Sequence, residues 1–137
     1  MILLALGQDA VWIAIDFPPS VSRLDARTGK VLATIKLGFS PADIAVGETG
    51  VWITNPLSDS VVRIDPGSDQ IADTFRVGRT PERLAVGAGF VWTASTRDGT
   101  VSRIDPKTFD VNTVDVGGTP EDLAVGLGGV WVIVHSR

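Results

Sequence analysis

The sequence contains no cysteine and no tyrosine, and only one histidine and one methionine in 137 residues. Without cysteine there is no disulfide framework and no thiolate metal site. A lone histidine, His135, cannot build a zinc site of several imidazoles. Any Ser-His-Asp arrangement around it would lack the strand-to-helix turn that presents a nucleophilic serine. Twelve Lys and Arg stand against sixteen Asp and Glu, a net charge of -4 with no basic cluster. That balance opposes binding to a nucleic-acid backbone or to an anionic membrane surface. No apolar run approaches the roughly 18 to 20 residues that a membrane-spanning helix needs. Met1 to Leu6 is apolar, but it lacks a basic start and is ended too early by Gly7, Gln8 and Asp9 to be a signal peptide. Any export signal is therefore expected upstream, and the composition leaves the compartment open.

What the sequence does have is a repeat. Trp12, Trp52, Trp92 and Trp131 are spaced 40, 40 and 39 residues apart. Arg23-Leu24-Asp25 returns as Arg63-Ile64-Asp65 and Arg103-Ile104-Asp105. A glycine stands five residues before each tryptophan (Gly7, Gly47, Gly87 and Gly126), and Pro41, Pro81 and Pro120 recur in step. Four markers on one period divide the chain into units 1–37, 38–77 and 78–117 and a half unit, 118–137.

Within the second unit, alternating apolar residues bounded by Gly, Pro, Asn and Asp predict four strands. They cover 41–46, 51–54, 61–64 and 71–77, and no stretch carries a helical period. Four short strands cannot bury both faces of their sheet alone, and stacking such sheets around an axis solves the problem. A period near 40 with four strands per unit points to a β-propeller. The expected fold is all-β: three and a half propeller blades forming an open arc or a four-blade-like pseudo-ring.

The recurring residues read as frame. Each tryptophan sits mid-strand and is expected to pack between neighbouring blades. Asp25, Asp65 and Asp105 each open a turn, where a carboxylate accepts backbone N–H bonds, and each is expected to form a structural charge pair with Arg23, Arg63 or Arg103. As catalytic carboxylates they would lie on three different blades, too far apart for joint chemistry. The third unit departs from the pattern. Phe109 stands where Gly29 and Asp69 stand, and Asp105 to Gly117 spans 12 residues where Asp65 to Gly78 spans 13. Phenylalanine suits a left-handed position poorly, so an altered hairpin with a lost β-bulge is expected there.

Functional residues of such a frame are expected on the loops at one end of the central channel. Two variable sets share that end. After the second strand lie Asp16 and Phe17, then Asn55, then Arg97 and Asp98. Around the recurring proline lie Phe39 and Asp43, then Arg79, Glu82 and Arg83, then Glu121 and Asp122. These are the candidate ligand- or partner-binding residues. No residue is singled out as catalytic, and neither metal nor cofactor is expected.

The unit Thr80-Pro-Glu-Arg-Leu-Ala-Val-Gly-Ala-Gly-Phe-Val-Trp-Thr-Ala, followed by Thr100-Val-Ser-Arg-Ile-Asp-Pro, closely resembles the YVTN-type β-propeller repeats of the YncE-like and virginiamycin B lyase-like superfamily. The resemblance covers essentially the whole chain. It implies a bacterial sensor, scaffold or binding domain, often extracytoplasmic, with a protein or small-molecule ligand. It also implies a closed ring of six to eight blades, so the chain reads as a segment of something longer or as a short open reading frame. The lyase branch places a histidine and a metal in its channel; only His135 matches here, so that activity is not carried over. The alternative is a lyase- or hydrolase-type enzyme whose active site is completed by further blades. It would require Asp43, Arg83 and Asp122 to converge with shifted pKa values. A free arc is also expected to self-associate through its exposed blade faces.

Overall fold

The computed structural model describes residues 1–136; Arg137 lies outside them. The first sheet consists of β1 (Ile2–Gly7), β2 (Ala10–Asp16), β3 (Pro19–Asp25) and β4 (Val31–Lys36). The second holds β5 (Ile44–Gly47), β6 (Gly50–Asn55), β7 (Ser60–Asp65) and β8 (Gln70–Arg76). The third holds β9 (Pro81–Gly87), β10 (Phe90–Ser95), β11 (Thr100–Ile104) and β12 (Val111–Asp115). A last hairpin pairs β13 (Gly118–Gly126) with β14 (Gly129–Ser136). All pairing is antiparallel between chain neighbours, so each repeat is a meander. No described helix is long and apolar enough to cross a membrane.

Strand β5 begins three residues later than alternation predicts. There the Asp43 N–H turns to the Thr54 hydroxyl at 2.9 Å, while the Thr54 backbone still accepts the Ala42 N–H and donates to the Asp43 carbonyl. The first strands touch one another in sequence, β1 with β5, β5 with β9 and β9 with β13, and so gather around the axis. The fourth strands are largely exposed at the rim.

The core lies between sheets. Trp12, Val21 and Ile35 of the first sheet pack on Ile44, Val51, Ile53, Val62 and Ile64 of the second. Trp52, Val61 and Phe75 pack in turn on Leu84, Val91 and Ile104 of the third. Trp12 and Trp52 are fully buried, each a large area removed from water. The third step is thinner. Trp92 is half-buried against Val130 and Val132, and Trp131, with no sheet beyond it, is 60% exposed.

The charged residues of the Arg-x-Asp element do not pair with each other. Asp25 and Asp105 accept two backbone N–H bonds each inside their turns, and Asp65 accepts one. The arginines reach elsewhere, each to a different partner. Arg23 crosses to the second sheet and grips Asp69 through two bonds of 2.9 and 2.8 Å. Arg63 meets Asp73 on the adjacent strand at 2.7 Å, and Arg103 lies 4.4 Å over the Phe90 ring. The expected recurring staple is thus corrected. Asp is held by its own turn, which leaves Arg free to follow whichever acceptor its blade supplies.

At the third outer hairpin the bulge is lost. The register of β3 with β4 shifts at Arg23/Leu24 and that of β7 with β8 at Arg63/Ile64, whereas β11 runs unbroken against β12. The residue missing from the third unit corresponds to exposed Leu32 and Ala72. The turn itself is unchanged. Phe109 takes φ +68° where Gly29 and Asp69 take +73° and +56°. Its N–H bonds to the Asp105 carbonyl as theirs do to Asp25 and Asp65.

Candidate functional site

Antiparallel meanders place two loop sets at one end of every blade: the loop joining second and third strands, and the link from fourth strand to the next blade. One bond ties them together in each unit. Leu37, Val77 and Val116 donate N–H to the carbonyls of Pro19, Asp59 and Gly99. The hairpin turns at 7–10, 47–50 and 87–90 and the Asp-led turns lie at the opposite end.

Several candidates at the loop end hold the frame. Asp98 accepts the Arg79 backbone N–H at 2.9 Å and its guanidinium at 2.6 Å, and these bonds hold its carboxyl below the usual range. Asp16 meets the N-terminal amine of Met1 at 3.1 Å, which lowers its carboxyl likewise. Asn55 is buried, and its Oδ1 has no protein partner. It belongs to the interior of its sheet and offers no surface to a ligand. His135 pairs with Glu121 at 3.1 Å, both exposed.

Asp43, Arg83 and Asp122 occupy corresponding places at the start of successive first strands, near the axis. Asp43 is the most enclosed. Its Oδ1 accepts Ile44 N–H at 2.9 Å, and its Oδ2 accepts Leu84 N–H of the next blade at 2.8 Å. Burial pushes its carboxyl above the ordinary value. The two N–H bonds and the Arg83 charge pull it back, while the Asp122 charge adds to the rise. Arg83 and Asp122 are exposed, as is Arg79; Glu82 and Phe39 are half-exposed. Phe39 packs on the first inter-blade core.

The most open side chains at this end are Phe17, 90% exposed, and Leu57, 89% exposed. They stand at the same loop position of adjacent blades, and exposed Arg97 stands at that position on the third. Leu57 belongs to the variable loop 55–58 that the sequence places at this end, at the position the 40-residue period aligns with Phe17 and Arg97. An apolar groove also lies elsewhere among the described residues. It holds roughly 420 Å³ between the third and fourth sheets, lined by Trp92, Val101, Val114, Val116, Val130 and Val132. No group of acidic and histidine side chains arranged to hold a metal occurs among the described residues.

No protein-family model matches the chain, and no curated protein is similar to it in sequence. Solved structures do match it. Hydrazine synthase of Kuenenia stuttgartiensis superposes over 98% of this chain with TM-score 0.88 and 20% identity. BamB of Moraxella catarrhalis does so over 97% with TM-score 0.74 and 19% identity. The chain spans only 42% and 43% of those two proteins. The computationally designed Ika4 protein matches over 98% of this chain and 91% of its own length, with TM-score 0.77 and 17% identity. At such identities the likeness is one of fold, and that fold is the β-propeller.

Proposed function

We propose that this chain is an arc of a YVTN-type bacterial propeller, a binding module used as sensor or scaffold, whose loop-bearing end takes a protein or small-molecule ligand. The observation that carries the reading is the row Phe17, Leu57 and Arg97. Three successive blades present an aromatic, an aliphatic and a cationic side chain at one loop position, on a frame held by the bonds beneath. Exposed apolar side chains that recur in a row mark interaction surface more strongly than scattered ones. An arginine at the same position of the third blade suits a ligand with an apolar body and an acidic group. The surrounding carboxylates favour binding over catalysis. Asp43 and Asp98 are engaged in clamping blade to blade or loop to loop, and Asp16 holds the chain's own amine.

The alternative, an enzyme completed by further blades, would rest on Asp43, Arg83 and Asp122. Both Asp43 oxygens already serve backbone N–H groups, so a catalytic role would require it to abandon the blade junction. A titration of the isotopically labelled chain with short acidic peptides carrying one aromatic residue, followed by amide NMR, separates the readings. Shifts centred on Phe17, Leu57 and Arg97, weakened at least tenfold in affinity by Phe17→Ala with Leu57→Ala, are expected. Shifts confined to the opposite, hairpin-turn end would sink the proposal.

A further inference from the structure

Each blade seats on the next by one repeated device. The glycine that opens the first hairpin turn lies flush against a valine of the following blade. A Cβ on Gly7 would stand 2.5 Å from Val46 Cγ1, on Gly47 2.6 Å from Val86 Cγ1, and on Gly87 2.6 Å from Val125 Cγ1. Only the missing side chain lets the sheets approach so closely. The fourth glycine, Gly126, has no atom within 4 Å of that position. The period places Leu6 at the valine position of the first blade, and Leu6 is 68% exposed.

A second half-made contact repeats the pattern. Asp43 accepts its neighbour's N–H and then reaches across to Leu84 of the next blade. Asp122 makes only the first of these bonds, from Leu123 N–H at 2.8 Å. The matching donor is Leu4, which faces Ile13 across its hairpin as Leu84 faces Thr93. The tryptophans agree. Trp12 and Trp52 are covered by the next sheet, whereas Trp131 is open, and half-exposed Val11 and Ile13 stand where Val51 and Ile53 cover Trp12.

The two ends of the arc therefore carry the two halves of a glycine–valine contact that the chain already makes three times, and of the Asp43–Leu84 bond that it makes once. We propose that the occupant of each end is a second copy of this chain, docked head to tail, with Gly126 of one copy on Leu6 of the other and Asp122 accepting the Leu4 N–H. The contact is heterologous, one kind of surface meeting another. It uses the ends of the arc and stands whether or not the loop end binds a ligand.

Light scattering after gel filtration of the whole chain, from 1 to 500 µM, tests it. The wild type is expected to assemble to at least twice its 14.5 kDa. Gly126→Val fills the open glycine position and Leu6→Glu puts charge on its counterpart. Each is expected to shift assembly at least tenfold to higher concentration while near-UV circular dichroism stays that of the wild type. Both positions face solvent within one copy, so neither change touches the arc's own core. A wild type that is monomeric and folded throughout, or an assembly indifferent to both variants, would overturn the proposal.

Discussion

At the scale of single residues, the glycines opposite valine set how closely blades can stack. Gly47→Ala and Gly87→Ala force a methyl into a space with no room, and overpacking of this kind costs about 1–3 kcal/mol. Neither backbone is in the left-handed region, so denaturant unfolding should report the collision alone. The Arg23–Asp69 grip is the one ion pair among those described that joins the side chains of two different sheets. A double-mutant cycle with alanine at both positions should give a coupling of about 0.5–1 kcal/mol that shrinks as salt is added. Asp43→Asn replaces one acceptor by a donor against a backbone N–H, and stability should fall by about 1–3 kcal/mol. The same residue leaves a signature in pH. Its folded pKa is raised, so its contribution is full below the unfolded value and lost as pH rises through the folded one. Unfolding free energy should therefore slope downward with pH just above the usual aspartate range in the wild type, and that slope should be missing in Asp43→Asn. Sequence alone marked Asp43 as variable surface. Its carboxylate is a clamp because the next blade's Leu84 N–H happens to arrive beside it, and no local pattern encodes that meeting.

At the scale of the element, the outer hairpin of each blade tolerates a bulge without requiring one. The third sheet pairs β11 with β12 in unbroken register, and Arg103 faces Asn112 as Arg63 faces Asp73. Deleting Ala72 should therefore convert the second hairpin to the third's geometry while keeping Arg63 opposite the Asp73 carboxylate. The expected cost is small, on the order of 1 kcal/mol, with the fold retained by circular dichroism. Deleting Thr74 instead would reverse the faces of the residues at the end of β8 and expel Phe75 from the core, so that variant should lose its cooperative transition. The lost bulge was legible from a one-residue difference in spacing. The unchanged turn was not. Phe109 accepts the left-handed conformation because the Asp105 carboxylate and carbonyl fix the turn around it, and its ring finds Phe75 edge-on at 5.5 Å. That contact joins two blades and is invisible to a reading within one.

At the scale of the whole molecule, acid should act through the turn and loop carboxylates. Backbone N–H bonds hold Asp25 and Asp105 below the ordinary aspartate value of 3.8, and the Arg79 N–H and guanidinium hold Asp98 there. Their contribution is present above that value and is lost as pH falls through the folded pKa values. Equilibrium unfolding should show a steep loss of stability below about pH 3.8, shallower in Asp105→Asn. The interior is strongest between the first and second sheets and thins toward the fourth, where only two strands cover Trp92. Amide exchange should follow, with the slowest amides in β6 and β7 and the fastest along β14.

Period, strand number and turn chemistry were all decided within each unit, because alternation, Gly and Asp act over a few neighbouring residues. A 40-residue spacing of Trp, Gly and Arg-x-Asp was therefore enough to define blades and their order. The partners of Arg23, Asp43 and Phe109 depend instead on which blade comes next and how closely a glycine lets it approach. So do the burial of Asn55 and the exposure of Leu57, which follow from how loops from two strands meet at one end. Those are distances between chain segments about 40 residues apart, and only the packed sheets determine them.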